Sequence, residues 1–266
     1  QPQLLWTIRK RHLSSAPRNL RLPVNRYGSA AVKARPKSAP SARARNVAEV
    51  PDELGVALGK PLYSTRLGEM YCGKSDDLLA RDELKKFRGK VQLIFTSPPF
   101  PLNTKKQYGN LTGTAYVKWL SNFAPLLKEF LTPNGSIVIE IGNAWQRGEP
   151  VMSTTVLRAL LKFLDRGGLN LCQEFVWYNP ARLPSPIQWV NVERSRVKDA
   201  FTRIWWMSPV TRPKADNRRV LREYSPSMKS LIRNGKYNSG PRPSEYVIGQ
   251  TSFNVDNGGA IPPTVI

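Results

Sequence analysis

The feature that most constrains the fold of this chain is an apolar run that stops at two adjacent prolines. The run VQLIFT at 91–96 is typical of a buried parallel strand, and Ser-Pro-Pro-Phe follows it at 97–100. Since neither proline can donate a backbone hydrogen bond, the strand has to end there in a stiff loop. Ligands of open α/β sheets bind just beyond the carboxyl ends of the strands. We therefore predict a functional site at this loop.

The loop offers a hydroxyl, a fixed carbonyl and an aromatic ring to a single ligand. Ser97 Oγ and the carbonyl of Pro98 can accept the two protons of an exocyclic amine, and the ring of Phe100 can stack on a planar base. Two such acceptors draw electron density onto the nitrogen and favour its attack on an electrophile. Taken alone, a Ser-Pro-Pro sequence is also compatible with an ordinary loop after a strand, so other parts of the sequence are needed to distinguish the two interpretations.

Strand and helix patterns alternate around this loop. Apolar residues three and four positions apart mark helices, and short apolar runs mark strands. The predicted elements are helices at 116–130 and 156–164, with Leu157 and Leu161 in the core stripe of the second, and strands at 136–141, 169–178 and 201–208. The sequences Thr132-Pro133-Asn134-Gly135 and Gly167-Gly168 are predicted to end the two helices. This alternation predicts an α/β fold built from βαβ units around a mostly parallel sheet.

The charge of the chain favours a nucleic-acid partner. Its 266 residues carry 41 Lys and Arg against 19 Asp and Glu, a formal net charge of +22. Cations of this number suit phosphate contacts, although a merely basic protein is the alternative. No apolar run approaches the roughly 18 residues of a membrane span. The single histidine, His12, and the two cysteines, Cys72 and Cys172, have no metal-ligand spacing, so we predict no metal site and a reducing intracellular setting.

Residues 1–60 differ in composition from the rest. They are rich in Arg, Lys, Ser, Ala and Pro, and no apolar periodicity persists, so we predict a basic, disordered leader. Three roles stay open for this leader: a nonspecific DNA-binding arm, an organellar transit peptide, or translated sequence upstream of the true start.

From the loop onward the sequence resembles a known family. The run Thr96-Ser97-Pro98-Pro99-Phe100 resembles the catalytic motif of amino-methylating DNA methyltransferases of the β arrangement, in the form used by cytosine-N4 enzymes. The likeness is strongest to members from restriction–modification systems that recognise CAGCTG, and it spans about Met70 to Ile266. Further stretches that carry it lie at 105–111, 116–119, 179–187, 189–191, 196–200, 205–206 and 256–263.

The resemblance implies a Rossmann-like S-adenosylmethionine-dependent methyltransferase sheet. Residues 61–210 would form the catalytic half, 211–257 a basic target-recognition insertion, and 258–266 the start of the cofactor-binding part. The implied reaction transfers a methyl group from S-adenosylmethionine to the exocyclic amine of a cytosine flipped out of double-stranded DNA. Carbon-5 methylation is rejected because neither cysteine follows a proline. Adenine-N6 methylation stays an alternative, although its enzymes usually carry Asp or Asn in place of Ser97 and Tyr in place of Phe100.

The resemblance also implies roles for individual residues. The catalytic residues would be Ser97, Pro98, Pro99 and Phe100, and the cofactor-binding residues Gly73, Ser75 and Thr96, with Ser75 also a plausible N-cap. The DNA-binding residues would be Lys105, Lys106, Arg182, Arg196, Lys198, Lys214, Arg218 and Arg242. For the basic residues of 211–257 a solvated loop surface is the alternative.

Two departures from the family bear on the cofactor. The sequence contains no Gly-x-Gly, so we expect an incomplete sheet without the strand that carries the glycine loop, and Lys74 stands where the family usually has an acidic residue. Residues 1–266 alone are accordingly expected to bind S-adenosylmethionine weakly or not at all and to be inactive without a complementing part. The further expected partners are a complementing chain and a cognate restriction endonuclease. The alternative function is that of a non-catalytic DNA-binding remnant. The expected location is the bacterial cytoplasm, with the nucleoid, and organellar targeting by the leader stays open.

Overall fold

A computed structural model describes residues 6–9, 61–103, 106, 109–250, 253 and 255–266, with the backbone alone at 6–9. The chain divides into two compact units, one of them Leu5–Gly73 and the other containing Lys74–Ile266. The predictions that fall on Lys105 and on most of the leader lie outside the described residues. Within the described ranges, none of the helices is both long and apolar enough to cross a bilayer.

The unit Leu5–Gly73 contains a three-stranded antiparallel sheet. Its strands are β1 (Trp6–Arg9), β2 (Tyr63–Thr65) and β3 (Gly68–Tyr71), with β3 in the middle. Thr65 Oγ1 accepts hydrogen bonds from the amides of Leu67 and Gly68 and so closes the turn between β2 and β3. Four residues of the predicted leader, Trp6–Arg9, are thus extended and paired with β3.

The other unit is built on a four-stranded mixed sheet. The strands are β4 (Val91–Thr96), β5 (Leu131–Gly142), β6 (Asn170–Tyr178) and β7 (Phe201–Ser208), in the order β4-β5-β7-β6. Strands β4 and β5 are parallel and are joined by helix α3, as predicted, but β7 is antiparallel to both of its neighbours. The predicted mostly parallel sheet is thus found with one departure: β4, β5 and β6 run in the same direction, and β7 runs opposite to them.

The connection between β6 and β7 explains the difference. Residues 179–200 contain a single five-residue π-helical stretch, Gln188–Val192, and no crossover helix. A parallel connection needs such a crossover, whereas a chain that returns on the same edge pairs antiparallel. Sequence periodicity gave the strands at 169–178 and 201–208 closely, but it carried no signal for their relative direction.

Five α-helices fall within the described ranges. They are α1 (Ser75–Leu79), α2 (Asp82–Lys85), α3 (Gly113–Phe130), α4 (Thr155–Gly167) and α5 (Pro226–Asn234). Helix α4 ends as predicted, because Gly168 adopts the left-handed conformation that caps a helix. Lys74, and not Ser75, occupies the N-cap of α1. Helix α3 ends at Phe130, before the predicted stop sequence, and β5 begins there with an irregularity in its pairing to β4.

The core lies on one face of the mixed sheet. Ile137, Ile139 and Trp205 point to that face and are buried, as are Leu120 of α3 and Phe163 of α4. Helices α3 and α4 pack against each other. Leu157 and Leu161 were predicted in the core but are 43% and 61% exposed. The buried stripe of α4 follows Val156, Ala159, Leu160 and Phe163, which leaves those two leucines about 100° around the helix.

The opposite face of the sheet is partly open. Leu93 and Phe95 of β4 are 56% and 61% exposed, and Trp177 on the same face of β6 is 46% exposed. Strand β4 lies at one end of the sheet order. At the other end, Thr264–Ile266 hydrogen-bonds along β6, so that Val265 pairs with Val176 in the parallel sense.

Residues 211–257 hold more regular structure than the sequence indicated. They contain a 3-10 turn at Asn217–Val220, helix α5, and the two short antiparallel strands β8 (Gly240–Pro241) and β9 (Val247–Ile248). Ser225 Oγ accepts from the amide of Met228 and caps α5, Pro226 occupies its first turn, and Gly235 ends it. A serine N-cap, a proline in the first turn and a glycine at the end are ordinary helix signals, so the sequence itself locates α5.

Candidate active site

The Ser-Pro-Pro-Phe loop begins directly after Thr96, the last residue of β4. Ser97 is exposed, Pro98 is buried and Phe100 is half-buried. The amide of Leu102 donates to the carbonyl of Phe100 at 2.8 Å, which closes a tight turn. Within the described part of the chain, neither Ser97 Oγ nor the carbonyl of Pro98 takes part in a hydrogen bond. The buried proline anchors the loop while its hydroxyl stays open to solvent.

The ring of Phe100 lies against the backbone of Gly142, the last residue of β5. A Cβ atom added at Gly142 would lie 2.5 Å from Cδ2 and 2.6 Å from Cε2 of that ring. The neighbouring strand therefore leaves room for the ring only because residue 142 has no side chain. Gly142 was not among the predicted site residues; its one signal in the sequence is its place directly after the predicted strand 136–141, as the Ser-Pro-Pro-Phe loop follows β4.

The residues after Gly142 hold two further segments at the same sheet edge. Asn143, which is 8% exposed, donates from Nδ2 to Asp199 Oδ1 at 2.8 Å. The carbonyl of Trp145 accepts from Asn103 Nδ2 at 2.6 Å. The end of β5 thus connects the candidate catalytic loop, through Asn103, with the segment that precedes β7, through Asp199.

The loop beyond Phe100 is folded back by another buried amide. Asn110 is 4% exposed, donates from Nδ2 to the carbonyl of Leu102 at 2.6 Å, and accepts from the amide of Lys106 at 2.8 Å. Next along the chain, Tyr116 is fully buried in α3, and burial raises the pKa of its hydroxyl well above the ordinary range. Tyr116 therefore belongs to the packed core of α3.

The predicted cofactor residues fall into both units. Gly73 is the last residue of the unit Leu5–Gly73, whereas Ser75 opens α1 and Thr96 ends β4 in the other unit. Ser75 is buried and Thr96 is half-buried. Thr96 and Ser97 are therefore adjacent at the carboxyl end of β4, which is the edge where the fold class places its ligands.

The three predicted DNA-binding cations between β6 and β7 hydrogen-bond to backbone carbonyls. Arg182 Nη1 donates to Phe201 O at 3.0 Å, and Lys198 Nζ donates to Pro180 O at 2.6 Å. Arg196 Nε donates to Pro150 O at 2.9 Å. These hydrogen bonds connect the segment between β6 and β7 with itself, with the first residue of β7 and with Pro150.

The other predicted cations differ in their surroundings. Arg218 is exposed but forms two hydrogen bonds with Asp216, at 2.8 and 3.0 Å, and this pairing lowers the pKa of the Asp216 carboxyl. Arg242 Nη2 donates to Asn238 O at 2.8 Å next to the β8–β9 pair. Lys106 and Lys214 are exposed. Arg218 thus brings its own counter-charge, which offsets its attraction for phosphate.

Comparison with known proteins identifies the class. Residues 91–251 match the family model N6_N4_Mtase, described as DNA methylase, and this match covers β4, the candidate catalytic loop, the rest of the sheet and most of 211–257. The chain belongs to this DNA methylase family, as the resemblance predicted. The Rossmann-like α/β fold of the family is confirmed with it.

Two relatives define the likeness more closely. The chain is 44% identical, over 211 residues, to the type II methyltransferase M.PvuII of Proteus hauseri, a match that covers 78% of this chain and 61% of that protein. It also matches the solved structure of PvuII DNA methyltransferase (cytosine-N4-specific), with a TM-score of 0.53 and 36% identity over 69% of this chain and 68% of the other. The chain therefore spans less than two thirds of the length of the curated relative.

Proposed function

We propose that this chain provides the catalytic and DNA-contacting part of a site-specific DNA methyltransferase that modifies the N4 amine of cytosine. The observation that carries the proposal is the loop at the end of β4, where Ser97 is exposed and Phe100 half-exposed beside a buried Pro98. A relative that shares 36% of its residues bears the description cytosine-N4-specific. A bacterial relative of this kind favours the cytoplasm, with access to the nucleoid, as the location.

The loop residues divide the work on the target base. A cytosine amine within a duplex is paired and stacked, so the base has to be extruded before it can react. Phe100 would then supply a new stacking surface, worth about 1–3 kcal/mol for an aromatic platform. Ser97 Oγ and the carbonyl of Pro98 would accept hydrogen bonds from the two N–H groups of the amine, and one of these protons would pass to solvent after the methyl group is transferred, while Pro99 keeps the turn stiff. The amine is thereby made more nucleophilic, and no covalent bond to the enzyme is needed.

S-adenosylmethionine, when bound, supplies the electrophilic methyl group. The residues present fit a site where the methyl donor and the target base meet, because Thr96, a proposed cofactor contact, directly precedes Ser97 at the end of β4. Gly73, Ser75 and Thr96 are the proposed contacts. The turn that would hold the methionine end in this family is rich in glycine, and the sequence has no Gly-x-Gly.

DNA would be held by exposed cations on two segments. Arg182, Arg196 and Lys198 would act through the segment between β6 and β7, with Lys105 and Lys106 beside the catalytic loop. Lys214, Arg218 and Arg242 belong to 211–257, the proposed target-recognition segment. Phosphate contacts fix orientation on the duplex, whereas contacts with base edges select the sequence. The resemblance makes CAGCTG the first target to test, and a cognate restriction endonuclease the natural companion.

A complementing polypeptide is the second proposed partner. Leu93 and Phe95 lie on the end strand β4 and are more than half exposed, which is unusual for a strand paired in the parallel sense. A chain that adds further strands beside β4 and covers these two side chains would complete the sheet. Co-purification with such a chain, and its loss in Phe95→Glu, would support this partner.

The decisive experiment measures the modified base. Unmodified genomic DNA is incubated with the protein and S-adenosylmethionine and is then hydrolysed to nucleosides, and mass spectrometry quantifies the products. N4-methylcytosine is the expected product when the proposed complementing polypeptide is present, whereas residues 1–266 alone are expected to give none. N6-methyladenine would establish the adenine alternative, and tight DNA binding with neither product would establish a non-catalytic remnant.

The role of Ser97 is tested on the chemical step. Ser97→Ala should lower the single-turnover rate about 100-fold, the scale of one lost hydrogen bond to the reacting group, and should leave the Kd for DNA within about two-fold. Ser64→Ala, at an exposed position on β2, is the matched control. An unchanged rate in Ser97→Ala would remove this hydroxyl from the mechanism.

A further inference from the structure

We infer that Gly142 is a positioning residue for the target base, because it decides where the ring of Phe100 can lie. The inference rests on the proposed function in one respect only, namely that Phe100 stacks on the extruded base. The contact itself joins two strand ends, β4 through its loop and β5 through its last residue.

The need for glycine at 142 arises from the ring and not from the backbone. The φ angle of Gly142 is not positive, so an L-residue could adopt its backbone conformation. A Cβ atom would nevertheless lie 2.5 and 2.6 Å from two ring carbons of Phe100. Carbon atoms in proteins pack at about 3.5–4.0 Å, so one of the two groups would have to move.

The ring is the group that would move. Gly142 is held in the sheet, where it pairs with Thr202 of β7. The backbone of Phe100 is also held, by the buried Pro98 two residues before it and by the hydrogen bond from Leu102 N to its carbonyl. The side-chain torsions of Phe100 are the remaining freedom. A methyl group at 142 would therefore rotate the half-exposed ring away from its present position and misplace the surface that receives the base.

The first experiment detects the ring directly and needs neither DNA nor a methyl donor. The full chain is labelled with 4-fluorophenylalanine, and the fluorine resonance of Phe100 is identified by its loss in Phe100→Leu. Gly142→Ala should shift that resonance. Gly167→Ala is the matched control, because its Cβ would lie 2.8 Å from the side chain of Leu169, away from the loop, and it should leave the resonance in place. An unmoved resonance in Gly142→Ala overturns the inference whether or not the chain methylates DNA.

The second experiment tests the consequence for catalysis. Gly142→Ala should slow single-turnover methyl transfer about 10-fold, within the range that base–aromatic stacking carries, while the Kd for DNA changes less than about two-fold. The same substitution in the Phe100→Leu background should cause no further loss, and an equal loss there would overturn the inference. If Gly142→Ala shifts the fluorine resonance but the wild-type chain transfers no methyl group even with the complementing polypeptide, the proposed function is refuted and the positioning of Phe100 is established.

Discussion

The hydrogen bond between Asn143 and Asp199 gives a prediction whose size follows from the structure. Asn143 is 8% exposed, and its Nδ2 lies 2.8 Å from a carboxylate oxygen of Asp199. A hydrogen bond to a charged acceptor contributes about 1.5–3 kcal/mol, and Asn143→Ala also leaves the half-buried Asp199 without this donor. We expect Asn143→Ala to lower the free energy of unfolding by about 2 kcal/mol.

The loss should be concentrated in the segment between β6 and β7. The amide of Asp199 donates to the carbonyl of Ser185, so a released Asp199 would weaken a contact that spans this segment. Hydrogen exchange of the Asp199 amide should therefore become faster in Asn143→Ala. Asn103→Ala removes a hydrogen bond at the same sheet edge from an exposed side chain, and it serves as the control with a cost of at most about 1 kcal/mol.

A double-mutant cycle isolates the pair. Urea denaturation followed by tryptophan fluorescence gives the free energy of unfolding for the wild type, Asn143→Ala, Asp199→Ala and the double variant. Residues in direct contact should show a coupling energy of about 1–2 kcal/mol. If the two single effects add to within about 0.3 kcal/mol, Asn143 does not hold Asp199 and the reasoning fails.

Three further predictions concern the Asp216–Arg218 pair and the core. Asp216→Asn should free Arg218 for phosphate and steepen the dependence of DNA affinity on salt by about 0.9 in the log–log slope, measured by fluorescence anisotropy; an unchanged slope would contradict the pairing. Because Arg218 lowers the pKa of the Asp216 carboxyl, the pair is intact above the ordinary carboxyl pKa and is lost as the pH falls through the lowered value. In Arg218→Gln, an NMR titration should show that the pKa of Asp216 has returned toward its ordinary value. Phe163→Ala should cost about 3–5 kcal/mol in urea denaturation, since Phe163 is 1% exposed, whereas Leu161→Ala, at 61% exposed, should cost less than about 1 kcal/mol. Equal losses in these two variants would mean that α4 packs through another face.

The sequence predicted the elements that depend on local signals. Helix α3 followed from apolar spacing, the end of α4 from Gly168, and strand β7 from its apolar run, and each is found within a few residues of the expected bounds. The family and its fold followed from motifs between about Met70 and Ile266, and both are confirmed. Helix α5 also has local signals, in Ser225, Pro226 and Gly235, although it was not among the predicted helices.

Predictions that depend on partners across the fold were less successful. Nothing in the spacing of α4 distinguished Leu157 from Leu160, because which side of a helix is covered depends on what packs there. The antiparallel return of β7 likewise depended on the path of residues 179–200. The roles of Arg182 and Arg218 as DNA contacts stay predictions, since charge along the chain does not show which carbonyl or carboxylate already holds each cation.

By itself, the sequence determined where this chain must bend and which chemistry the bend presents, because proline geometry and the side chains of residues 97–100 act over a few bonds. Only the tertiary structure decided what lies beside that bend. Gly142 meets Phe100, and Asn143 meets Asp199, through pairings of strands that are distant along the chain. These contacts form only when β4, β5 and β7 are paired in the sheet. The steric limit at Gly142 therefore arises from the folded structure, whereas backbone preference acts along the sequence.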